Sequence, residues 1–147
     1  MTAEPQITLI FDTSSLIAYA RAELAAVRVG ELLQMVEEDE GTSLIGVPAA
    51  CYLAAFRQLS DIDQQARLTT MMLRMENACV ILPLMGIDTM QVAMTDAQLG
   101  GNDIAHAVLE TQRTEDALLA TFLPKVAELR LAGNRVLDLT AEWTDEP

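Results

Sequence analysis

With 147 residues, 51% of them apolar, the chain is long enough to form one domain that buries about two-thirds of its unfolded surface without a disulfide or metal staple. Twenty-two acidic residues against nine basic ones give a net charge of −13, and Arg21, Arg28, Arg57, Arg67, Arg74, Arg113, Lys125, Arg130 and Arg135 are scattered singly, so no basic stripe is present to grip nucleic acid. The acidic start and the lack of any apolar run of membrane-spanning length read as a cytoplasmic protein with no membrane association.

Residues 7–11, Ile-Thr-Leu-Ile-Phe, read as a strand buried on both faces, with Asp12 at its carboxyl end. Leu16, Ile17, Tyr19 and Ala20 follow helical spacing, and Asp12, Thr13, Ser14 and Ser15 are all able to accept from the open amides of a helix start. Ligands of open α/β sheets bind beyond the carboxyl ends of the strands, so Asp12 is either a site carboxylate or only a helix cap. Residues 22–38 have a helical pattern with Leu24, Val27, Leu32, Met35 and Val36 on one side; the acidic run at 37–40 reads as a solvated helix end. Residues 43–47 form a second buried strand, and Pro48 closes it and starts a helix over 49–59.

Asp61 opens a further helix in which Leu68, Met71, Met72 and Met75 recur at three- and four-residue steps as adaptable core. A third strand is read at 80–84. The helix over 87–99 takes Met90, Ala93, Met94 and Ala97 as its apolar set and stops at Gly100-Gly101. Another helix starts at Asn102-Asp103 and carries Ile104, Ala107 and Val108 inward, with His106, the only histidine, as a partly buried residue. A strand at 117–121, a short helix at 122–131 and a last strand at 135–139 complete the body; in the acidic tail, 140–147, Trp143 is expected to anchor on it. Cys51 and Cys79 stand in apolar company without metal-binding spacing and read as buried free thiols of a cytosolic protein.

Strands alternating with helices predict an α/β domain over 1–139, a three-layer α/β/α arrangement around a mostly parallel sheet. No Gly-x-Ser-x-Gly elbow, Gly-x-Gly-x-x-Gly fingerprint or P-loop is present, which disfavours a hydrolase triad and nucleotide-cradling loops.

Four stretches together resemble one family. Ile10-Phe11-Asp12-Thr13-Ser14-Ser15-Leu16-Ile17-Ala18 is similar to the opening strand and acid-Thr/Ser corner of PIN domains, metal-dependent ribonucleases that include the toxins of VapBC-type toxin–antitoxin pairs. Asp103-Ile104-Ala105-His106-Ala107 resembles the helix start that carries a later metal-binding acid in that family. Ala117-Leu118-Leu119-Ala120-Thr121 resembles the strand before its Thr-x-Asp, and Arg135-Val136-Leu137-Asp138-Leu139 its closing strand. The resemblance implies a PIN-like fold, a Mg2+ or Mn2+ site built on Asp12 and Asp103, and Thr13, Ser14 and Thr121 bonding to those acids.

Two positions depart from the family. Ala54 stands where a helix would present a Glu, and Leu123 where Thr-x-Asp would end in Asp. Two carboxylates hold a hard divalent cation weakly, and an oriented water or second ion needs more of them. Asp96 is the nearby acid considered first as a substitute; as an exposed helix residue it would be merely solvated. One reading is therefore a PIN-like module with a degenerate site that binds an antitoxin-like or other protein, or RNA, without cutting; another is a ribonuclease with a reduced or rearranged acid set; a third is an unrelated small α/β domain with both aspartates as caps. The surplus of Ala, Leu and Met on the helices further predicts an exposed apolar patch that pairs two copies as a homodimer.

Overall fold

A computed structural model of the chain describes residues 4–141 other than 23, 40, 41, 76 and 77. Its elements are β1 (Gln6–Phe11), α1 (Thr13–Arg21), α2 (Ala26–Glu38), β2 (Ser43–Pro48), α3 (Ala49–Gln58), α4 (Ile62–Arg74), β3 (Cys79–Leu82), α5 (Thr89–Leu99), α6 (Asn102–Arg113), β4 (Leu118–Thr121), α7 (Pro124–Ala127) and β5 (Val136–Asp138), with 3-10 turns at Gly86–Asp88 and Gly133–Arg135. The five strands form one all-parallel sheet in the order β3-β2-β1-β4-β5, flanked by helices in three layers. Strand order reverses between β1 and β4. Parallel neighbours demand crossovers, and the helices that supply them cover the sheet, which is why Leu9, Ile10 and Phe11 are buried in succession.

The core is built from those strand residues with Ile45, Val47 and Leu119 of the sheet and Leu16, Val29, Leu33, Leu68 and Val108 of the helices. α1 packs on α2, α3 and α4, while α6 packs on α3 and α5. Gly46 sits where this packing leaves no room for a side chain: a Cβ there would fall 2.7 Å from Leu82 Cδ1 and 2.9 Å from Ile10 Cδ1. Among the described residues no helix is long and apolar enough to cross a membrane.

Several sequence expectations are corrected. Ala22 is not the start of a helix but the left-handed cap of α1, with φ 52° and its amide bonded to Tyr19 O. The next helix therefore begins at Ala26, in a phase that buries Ala26, Val29, Leu32, Leu33 and Val36 and leaves Leu24, Val27 and Met35 exposed. In α5 the inward residues are Val92 and Leu99; Met90 and Met94, expected inside, are 77% and 71% exposed, and Ala93 and Ala97 are exposed too. Val92 packs with Ala105 and Leu109 of α6, and that contact fixes the rotation of α5. The third strand spans Cys79–Leu82 at the sheet edge, the helix after Pro124 is one turn, and the last strand is only Val136–Asp138. His106, expected to be partly buried, is fully buried. Glu40 and Trp143 lie outside the described residues.

Candidate functional site

Asp12 leaves β1 at the point where strand order reverses and caps α1. Its Oδ1 accepts from the Ser15 amide at 3.0 Å, from the Ser14 hydroxyl at 2.6 Å and lies 2.9 Å from the Ser15 hydroxyl. Ser15 Oγ returns the favour by accepting from the Asp12 amide at 3.1 Å, a reciprocal capping box. Across the seam, Thr121 at the end of β4 donates its hydroxyl to Asp12 Oδ2 at 2.5 Å and accepts from the Leu123 amide at 2.9 Å. Ser14 Oγ likewise accepts from the Phe122 amide at 3.0 Å. Hydroxyls from α1 and β4 thus stitch the two neighbouring strand ends together around a carboxylate that is 1% exposed. Burial raises the Asp12 carboxyl above its ordinary value, against the pull of the bonds from Ser14, Thr121 and Ser15.

Asp103 is the second residue of α6, and its Oδ2 accepts the hydroxyl of Thr13, the residue after Asp12. The two aspartates are therefore linked through consecutive residues of one corner. Gly101 precedes the helix in extended backbone; a Cβ there would meet Asp103 Oδ1 at 2.6 Å, so the carboxylate folds over the space that glycine leaves open. Cys51 of α3 donates its thiol to Asp103 O at 3.1 Å. Burial pushes that thiol well up, and the carboxylates of Asp12 and Asp103 add to the effect. Cys79 is pushed up to about 12 by burial, so both cysteines are protonated, buried thiols.

Asp103 opens onto a cleft of about 610 Å3. Its walls are Ala50, Leu53, Ala54 and Arg57 from α3, Thr89, Val92 and Ala93 from α5, Leu84, and Asn102 beside Asp103 itself. The structure therefore brings Asp12, Thr13, Ser14, Thr121 and Asp103 into one bonded corner and puts Ala54 in the cleft that Asp103 faces. Leu123, 48% exposed, precedes α7 and contributes only its amide to Thr121. Asp96 is half-buried on α5 and makes no side-chain hydrogen bond to this corner among the described residues. Arg57 and Thr89 line the cleft without having been singled out from the sequence; the spacing of Arg57 three residues after Ala54 was the available signal.

The donor set does not fit a Mg2+ or Mn2+ centre. Such an ion takes one or two carboxylates and fills the rest of its octahedron with water, so it depends on carboxylate oxygens that water can reach. Both oxygens of Asp12 are committed to internal donors in a dry setting, Oδ2 of Asp103 is committed to Thr13, and Ala54 and Leu123 offer no oxygen from their side chains. Among the described residues no three of His, Cys, Asp and Glu are grouped to hold a metal ion. Compared with known proteins, the chain matches no protein-family model and no curated protein.

Proposed function

We propose that this chain is a PIN-like domain with a degenerate metal site, acting in the cytoplasm as a non-catalytic module that binds a protein, of antitoxin type or another, or RNA. The observation that carries this reading is the internal saturation of Asp12: an acid at the strand-end seam, where an α/β sheet carries its chemistry, is here enclosed by four hydroxyl and amide donors. Strand order and the second acid at the start of α6 support the family resemblance. Ala54 and Leu123 support the loss of catalysis, because the metal that would invert the local negative field has too few ligands. With a net charge of −13 and one arginine on the cleft wall, a protein ligand is favoured over RNA.

The exposed apolar face of α5, Met90, Ala93 and Met94 with Ile87, Met85 and Leu84 before it, is the surface on which two copies would pair. The alternative reading, a Mg2+- or Mn2+-dependent ribonuclease with a reduced acid set, rests on Asp103 opening onto a roomy cleft.

Cleavage of single-stranded and structured RNA with Mn2+ separates the two. Wild type, Asp12→Ala and Asp103→Ala, prepared identically, are expected to show the same background. Cutting by the wild type that both substitutions abolish overturns the proposal and makes Asp96 or another acid the missing ligand. Recovery of cleavage in the double variant Ala54→Glu with Leu123→Asp would mark the scaffold as a nuclease frame that lost only its ligands.

A further inference from the structure

The single histidine has a place that neither the acidic corner nor the core explains. His106 is 0% exposed in the middle of α6, and its Nδ1 accepts from the Ala50 amide in the first turn of α3 at 3.4 Å. That amide needs an outside acceptor, because Pro48 at the helix cap brings no side-chain one. An Nδ1 that accepts carries no proton, so in the neutral ring the hydrogen is on Nε2. Nε2 lies 3.3 Å from Glu110 Oε1, one turn further along α6, without the alignment of a hydrogen bond. It is the one fully buried side-chain nitrogen or oxygen without a hydrogen bond among the described residues.

From Glu110 the chain of contacts continues outward. Glu110 Oε1 is 3.7 Å from Arg113 Nη1, and Arg113 grips both oxygens of Asp88, just before α5, at 2.9 and 3.0 Å. Arg113 holds the Asp88 carboxyl below its ordinary range. His106 thus ties α6 to α3 on one side and reaches α5 through Glu110 and Arg113 on the other. Those three helices supply nine of the ten residues around the Asp103 cleft.

We propose that His106 is a proton-operated latch between α6 and α3 that sets how the first turn of α3 lies across the Asp103 cleft. In the neutral ring Nδ1 holds Ala50 and Nε2 is left poorly matched. A proton taken from solvent onto Nδ1 reverses both terms. The Ala50 amide then faces an N–H instead of a lone pair, and the positive end of α3 faces a cation, while the imidazolium gains charge attraction to Glu110. Around the ring the charged groups are Glu110 and Arg113 on α6 and Asp88 ahead of α5; of the elements packed on α6, α3 carries Cys51, Tyr52 and Arg57 besides its amide end, α5 carries Asp96, and β1, β2 and β4 carry no titratable side chain. α3 stays bonded to α6 through Cys51 and Asp103 O, so loss of the tie frees the first turn of α3 and with it Ala50 on the wall of the Asp103 cleft. This inference is independent of whether the cleft belongs to a decayed nuclease.

With one histidine in the chain, imidazole 15N signals are unambiguous. In labelled protein taken from about pH 8 to about pH 5, the range in which histidine serves as a switch, the neutral ring is expected as the Nε2–H tautomer. On acidification the Ala50 amide and its α3 neighbours should shift with the midpoint of the ring. In His106→Asn, whose carbonyl oxygen keeps an acceptor without a titrating proton, those amide shifts should vanish. An Nδ1–H tautomer overturns the proposal, as do a ring that titrates while Ala50 stays still, a ring that takes no proton before the chain unfolds, and an unchanged Ala50 response in His106→Asn. The wild-type signals alone decide the matter if that variant does not fold.

Discussion

Replacing Thr121 by Val removes one hydroxyl and keeps the shape and strand preference of the side chain. Thr121 is fully buried, and its hydroxyl serves two partners at once, donating to Asp12 Oδ2 at 2.5 Å and accepting from the Leu123 amide at 2.9 Å. Leaving a buried oxygen and a part-buried amide unmatched costs about 1–3 kcal/mol for the first and about 1 kcal/mol for the second. Burying a methyl in place of the hydroxyl returns up to about 1 kcal/mol. The net expectation is a loss of about 2 kcal/mol, or roughly 4–8 °C in Tm for a chain of this size. Urea unfolding followed by circular dichroism measures it. The same substitution made on Asp12→Ala has no carboxylate to strand, so its cost should fall by about 1 kcal/mol or more, a coupling that a double-mutant cycle reads directly. A loss below about 0.5 kcal/mol in the wild-type background, or equal losses in both backgrounds, would refute the claim that this bond closes the β1/β4 seam.

The Asp12 carboxyl, raised above 3.8, gives the folded state a tighter hold on its proton than the unfolded state has, so the stability due to Asp12 is highest below the ordinary aspartate range and declines as pH rises through the folded value. The stability difference between wild type and Asp12→Asn should therefore slope downward as pH rises above the ordinary aspartate range, and an upward slope there would contradict the cause assigned to the shift. Gly101→Ala should push Asp103 off Thr13 and cost about 1 kcal/mol in urea unfolding, most of it absent when Asp103 is already Ala; equal costs in both backgrounds would locate the strain elsewhere. Met90→Glu combined with Met94→Glu should turn a dimer into a monomer in light scattering and remove any concentration dependence of the unfolding midpoint, and a wild-type chain that is monomeric at every concentration removes the α5 pairing surface.

The fold is legible in the sequence wherever a single physical signal decides. Short apolar runs set off by turn or polar residues located all five strands, and Asp12 and Asp103 were found because strand ends and helix starts are marked by local polar chemistry. Side assignment failed where a helix has no dominant apolar face. In α5, Met90, Ala93, Met94 and Ala97 form as regular a stripe as Val92 and Leu99, and only the presence of Ala105 and Leu109 on α6 chooses between them. The α2 error has a different source: Ala22 stops α1 in a left-handed conformation usually left to glycine, so nothing local announced the stop. The bond of Thr13 to Asp103 and that of His106 to Ala50 join residues 90 and 56 positions apart, and no spacing rule reaches so far, although His106 and Glu110 at one helical turn hinted at the pairing.

The bond that closes the acidic corner joins residues 109 positions apart, and that distance has a consequence for how the molecule comes into being. With every strand parallel to its neighbours, no hairpin can form early, and each pairing waits for a crossover to be completed. β1, the central strand and the earliest of the five in chain order, gains β2 on one side early but stays open on the other until β4 has been synthesised. During that interval Ile10 and Phe11 border an unpaired strand edge, the kind of surface that recruits other chains. A nascent chain halted before Leu118 carries Asp12 without Thr121, so the corner appears only once β4 has been made and marks a sheet whose central strand is paired on both sides.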